Sequence, residues 1–107
     1  MRRLIYPLIL ALLPGIAAAS GLTAERKAEL VHLLRQDCGA CHGMTLKGGL
    51  GKPLLPEYLE NKPQETLKAT ILYGRAGTPM PPWKGLLTEQ EADYLARILK
   101  KGVPDAR

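Results

Sequence analysis

Residues 36–45 read QDCGACHGMT. They hold the only two cysteines of the chain, Cys38 and Cys41, and one of its two histidines, His42. On a helix, residues three apart share a face, so both thiols point the same way, one turn apart. That separation matches the two vinyl groups on one edge of a haem, each of which can take a sulfur as a thioether. His42 follows where its imidazole can reach the central iron from one side. The spacing C-x-x-C-H is read as covalent c-type haem attachment on these grounds.

Three other uses of these residues compete with that reading. A thioredoxin-like pair is expected beside a βαβ pattern, and no stretch of this chain alternates like a strand. A structural zinc site takes four ligands. Cys38, Cys41, His42 and His32 are the only cysteines and histidines, and His32 falls in the middle of an expected helix. A disulfide across two intervening residues is strained and closes almost no chain.

The start of the chain supports an oxidising destination. Arg2 and Arg3 precede a mainly apolar run over residues 4–13, and Ala17, Ala18 and Ala19 follow. This is the three-part pattern of a secretory signal with cleavage after Ala19. The run is shorter than the roughly 20 residues a membrane span needs, and Pro7 and Pro14 interrupt it. An uncleaved membrane anchor is the alternative. Outside the cytoplasm a free thiol pair tends to oxidise, so Cys38 and Cys41 should be bonded to something.

The expected domains are a signal over residues 1–19 and one small domain over residues 20–107. The formal net charge is +5, and two of the 15 basic residues lie in the signal, against 10 acidic residues. That mild excess, with no aromatic-basic stripe, gives no ground for nucleic-acid binding. A domain this short buries little apolar surface, and this one has no Phe and a single Trp. A covalently held haem would fill the middle.

Three helices are expected. The first covers residues 24–41, with Thr23 as N-cap and Glu25 and Glu29 toward its positive end. Ala24, Ala28, Leu30, Val31 and Leu34 form its apolar stripe. The second covers residues 63–73, with Pro63 at the first helical position and Gly74 after the end. Leu67, Ile71 and either Thr70 or Leu72 face inward. A short turn starts at Pro56. The third covers residues 89–101. Thr88 and Glu91 make a capping box, Leu95, Ile98 and Leu99 form the apolar face, and Gly102 and Pro104 end it.

Haem held by His42 on one side leaves the other side of the iron open or closed. Met44 is too close to His42, and His32 shares its helix. Met80 remains, in residues 78–83, TPMPPW. Pro79, Pro81 and Pro82 fix φ on both sides, so the loop can hold a thioether still against a metal. His/Met ligation occupies both axial positions and raises the reduction potential. A closed site transfers electrons rather than binding substrate, so the reading is an electron carrier and not an enzyme.

These residues together resemble the class I c-type cytochromes. Residues 41–56, CHGMTLKGGLGKPLLP, and 71–83, ILYGRAGTPMPPW, resemble more particularly the small cytochromes of the c55X type. The resemblance implies an all-α fold of three to four helices around one haem c. It implies that the first and last helices cross, with Ala28, Val31, Leu95 and Leu99 at the contact. It implies a proline carbonyl, here Pro53, accepting the other ring N–H of His42, and places Trp83 near a haem propionate. It also implies a periplasmic setting beside a cytochrome cd nitrite reductase in denitrification. The alternative is a maturation factor for that reductase's haem d cofactor. Lys47, Lys52, Arg75 and Lys84 lie in loops expected near the haem edge, where they would steer an acidic redox partner.

Overall fold

The computed structural model describes residues 21–104. The expected signal and its cleavage after Ala19 lie outside the described residues. Every regular element among the described residues is helical.

Helix α1 (Ala24–Leu33) starts where Thr23, in extended backbone, accepts the Arg26 N–H on its side chain at 3.1 Å. The helical path does not stop at Leu33. It continues as a π segment (Leu34–Cys38) and then as α2 (Gly39–His42). The Gly39 N–H donates to the carbonyl of Leu34, five residues back. The expected single helix therefore exists, but its wall widens over the five residues that end at the first cysteine. Short π segments of this kind are rare and fall often at functional sites. Gly43, at φ +91°, ends the path.

Helix α3 (Pro56–Leu59) has proline in its first turn. Helix α4 (Gln64–Tyr73) begins one residue later than expected. Pro63 has ψ 143° and is the N-cap, not the first helical residue. Helix α5 (Glu89–Lys101) matches its expected span. Thr88 accepts the Glu91 N–H at 3.1 Å, and the Glu91 carboxylate accepts the Thr88 N–H at 3.0 Å.

Helix α5 packs on α1, α3 and α4. Its apolar face joins Leu30, Leu34, Leu46, Leu59 and Leu87 in one buried cluster with Leu95, Ile98 and Leu99. Burying each such side chain contributes about 1.5–3 kcal/mol. Leu67, Ile71, Trp83 and Tyr94 pack on its margin. Leu72 is the buried member of the inward face of α4.

The expected stripe on α1 needs correction. Ala24 and Ala28 are exposed. The expected Leu30 and Leu34 are buried, and the inward face runs through Leu22, Arg26, Leu30, Leu34 and Cys38, four residues apart. Val31 packs at its side. Where α1 and α5 meet near their N-termini, the contact is ionic: Arg26 bonds Glu91. Ala28, expected at this contact, is exposed.

Candidate cofactor site

Cys38 closes the π segment and Cys41 lies in α2. They are three residues apart on one continuous helical path. Cys38 is half-buried at the core margin and Cys41 is exposed, and no disulfide joins them. Burial pushes the Cys38 thiol up to about 11, with the charge of Asp37 adding to the effect. A redox-active pair needs a lowered thiol pKa, so the environment opposes the thioredoxin-like reading. Zinc fares no better. Among the described residues, no three of His, Cys, Asp and Glu are grouped to hold a metal ion.

The loop after α2 folds back onto the helix end. A helix leaves its last carbonyls without intrahelical partners. Here the Gly51 N–H donates to the Cys41 carbonyl at 2.7 Å, and the Gly48 N–H to the His42 carbonyl at 2.9 Å. Leu46 pins the loop from inside. It is buried in the leucine cluster and sits at φ +61°. A non-glycine residue in that region costs about 1–3 kcal/mol and persists only where its surroundings hold it.

The same loop orients His42. Nδ1 lies 2.7 Å from the backbone carbonyl of Lys52. The acceptor is therefore Lys52, one residue before the expected Pro53. Pro53 acts indirectly, because a residue before proline is pushed into extended backbone. The Pro53 ring also lies against Gly48. A ring that donates Nδ1–H to Lys52 leaves Nε2 as the nitrogen open to another partner. Gly51 faces the ring so closely that a Cβ there would stand 2.6 Å from Nδ1. Gly51 was not singled out from the sequence, and Lys52 was named there for its charge and not as the partner of His42. The G-x-P pattern of residues 51–53 was the signal for both.

Met80 is held in a separate clasp beyond α4. The Arg75 N–H donates to its carbonyl at 3.2 Å, and its own N–H donates to Thr78 Oγ1 at 3.3 Å. The Thr78 hydroxyl in turn donates to the Arg75 carbonyl at 2.7 Å. The Trp83 and Lys84 N–H groups donate to the Ile71 and Leu72 carbonyls, both at 3.0 Å. The proline-rich loop is thereby sewn onto the end of α4. Gly74 makes this possible: it sits at φ +66°, and a Cβ there would stand 2.6 Å from the Met80 carbonyl oxygen. The Trp83 side chain is half-buried on the leucine core. Met44 and His32, the alternatives to Met80, are both exposed.

The donor set fits a haem: two unpaired sulfurs one turn apart and an imidazole with its far nitrogen already engaged. Comparison with known proteins agrees. The family model for cytochrome c oxidase, cbb3-type, subunit III matches residues 25–99. The cytochrome c55X of Pseudomonas aeruginosa is 56% identical over 90 residues, covering 84% of this chain and 75% of that protein. This chain belongs to the cytochrome c55X family.

It is a small class I c-type cytochrome with an all-α fold. The solved structure of the c-type cytochrome NirC superposes with a TM-score of 0.74 at 56% identity, over 76% of this chain and 95% of that one. Two longer proteins contain a stretch similar to it. The dihydro-heme d1 dehydrogenase of Pseudomonas aeruginosa is 38% identical over 91% of this chain and 19% of that protein. The nitrite reductase of Stutzerimonas stutzeri is 30% identical over 86% of this chain and 19% of that protein. The family implies haem c, for which Cys38, Cys41 and His42 are the matching residues. Among the described residues, no helix is long and apolar enough to cross a membrane.

Proposed function

We propose that this cytochrome is an exported monohaem electron carrier of a nitrite-reducing pathway. Cys38 and Cys41 hold the haem by thioethers, and His42 and Met80 are its axial ligands. The observation that carries this reading is the helix end itself, where two free sulfurs adjoin an imidazole oriented by the Lys52 carbonyl. When bound, the haem supplies one-electron Fe(III)/Fe(II) chemistry. His42 stays oriented because Lys52 fixes its ring. Met80 stays in place because both its backbone groups are bonded within the clasp. Trp83 borders the haem from the margin of the leucine core.

The nitrite reductase among the relatives supplies the partner class. Lys47, Lys52, Arg75 and Lys84 are all exposed, and they steer encounter with an acidic surface. Residues 1–19 act as a signal cleaved after Ala19, which delivers the domain to the periplasm.

The decisive test is the mass and the reduced-minus-oxidised visible spectrum of the exported protein. A haem-sized mass increment that survives denaturation, and is lost when Cys38 and Cys41 are both changed to alanine, is the expected result. A colourless exported chain refutes the reading. Deleting the gene should leave reductase with normal cofactor but slow nitrite turnover. Reductase lacking haem d would assign the protein to cofactor maturation instead.

A further inference from the structure

A recess of about 240 Å³ lies beside the first turns of α1 and α5. Leu22 and Lys27 line it from the α1 side, and Gln90, Asp93, Tyr94 and Arg97 from α5. No residue of the Cys38–His42 helix end or of the Met80 clasp takes part. Two cations meet there over one ring. Lys27 Nζ lies 5.7 Å and Arg97 Cζ 5.5 Å from the centre of the Tyr94 ring. Tyr94 is itself half-buried against the leucine core, so the ring is a fixed base for both. Neither cation is in an ion pair: among the described residues, the salt bridges are those of Arg26 with Glu29 and Glu91. The one carboxylate of the recess, Asp93, is engaged by Gln64, whose Nε2 donates to Oδ1 at 3.0 Å. Two like charges are thus gathered without a bonded counter-ion, an arrangement that an anion relieves.

We propose that this recess binds a small phosphate monoester that carries a hydroxyl group. A monoester phosphate has close to two negative charges at neutral pH and three acceptor oxygens, which answers both cations. Arg97 offers a planar fork to a pair of those oxygens, and Lys27 a point charge to the remaining one. A phosphodiester or a monocarboxylate bears a single charge and leaves one cation unanswered. Asp93 sets the rest of the ligand. With Oδ1 engaged by Gln64, Oδ2 is the acceptor left for a donor, and a hydroxyl supplies one without adding charge. The dipoles of α1 and α5 favour the same sign of ligand. The bound monoester bridges the two helices already joined by Arg26 and Glu91, so it stabilises the fold. The proposal does not rest on the carrier reading, because it uses no residue of the haem site.

The test is isothermal titration calorimetry of the holoprotein with glycerol phosphate as the probe. Saturable one-to-one binding is expected, and the same probe should raise the urea unfolding midpoint. Lys27→Gln and Arg97→Gln should each weaken binding at least about tenfold, as loss of one hydrogen bond to a charged group does, with the visible spectrum unchanged. Lys101→Gln, at the other end of α5, removes the same charge and should bind as the wild type does. Asp93→Asn should narrow the preference for glycerol phosphate over inorganic phosphate. Absence of saturable binding overturns the site, and so does binding that Lys101→Gln weakens as much as Lys27→Gln. Equal affinity of the wild type for glycerol phosphate and inorganic phosphate, or tighter binding to phosphatidylglycerol vesicles, overturns the ligand.

Discussion

The backbone carbonyl of Lys52 lies 2.7 Å from His42 Nδ1, and the missing side chain of Gly51 makes that approach possible. A Cβ at position 51 would stand 2.6 Å from Nδ1 and 2.7 Å from Cε1. Gly51→Ala must therefore tilt the imidazole or push the loop away. Either movement lengthens the bond to Lys52. Overpacking of this kind costs about 1–3 kcal/mol. We expect a lower urea midpoint in the holoprotein and an altered visible spectrum, because the ring's orientation and basicity change together. A variant matching wild type in both would refute the close approach.

Gly74 is to Met80 what Gly51 is to His42. An alanine there is strained at φ +66° and would meet the Met80 carbonyl at 2.6 Å. Gly74→Ala should therefore loosen the clasp, at a cost of about 1–3 kcal/mol. If Met80 ligates iron, the reduced wild type excludes carbon monoxide and Met80→Ala admits it. Gly74→Ala should show partial admission. Carbon monoxide binding to the wild type at the same level as to Met80→Ala would remove Met80 as a ligand.

The features legible in the sequence are those written locally. Helix α5 was readable to the residue because Glu91 and the closing lysines lie within its span and Thr88 and Gly102 directly flank it. The shared helical path of Cys38, Cys41 and His42 was readable because their spacing is itself a helical one. The π segment was not, since shifting one hydrogen-bond partner leaves the residue pattern unchanged. Ala24 and Ala28 looked like core because helical spacing permits several neighbouring faces. Only the position of α5 decides that Arg26 and Leu30 face it. The shift from Pro53 to Lys52 had the same origin: register in a glycine-rich loop is set by bonds to the Cys41 and His42 carbonyls, which are distant in pattern though near in space.

The corrected face of α1 yields a paired prediction. Leu34 is fully buried, whereas Ala28 points to solvent. Leu34→Ala should cost about 2–5 kcal/mol through the cavity it leaves. Ala28→Lys should change stability by no more than about 0.5 kcal/mol, as exposed helix positions do. Urea unfolding of the two variants decides the matter. A large loss at position 28 would restore the alanine stripe.

Acid stability should depend on Glu91. The Arg26 guanidinium bonded to its side chain, followed by the Thr88 backbone N–H, holds its carboxyl below the ordinary value. As pH falls, the unfolded chain takes up the proton first, near about 4.3 for a free glutamate. Stability therefore rises with pH across this window. The contribution is complete above the unfolded value and is lost as pH falls through the folded one. Glu91→Gln cannot titrate, so its stability between about pH 6 and pH 3 should fall less steeply than that of the wild type, starting from a lower plateau because the ion pair with Arg26 is gone. The comparison is made on holoprotein by urea unfolding at each pH. Thr88→Ala separates the cap from the charge: it should lower stability by about 0.5–2 kcal/mol while keeping most of the acid slope, since Arg26 still bonds the carboxylate. Equal slopes in wild type and Glu91→Gln would mean that the Arg26–Glu91 contact does not persist in solution.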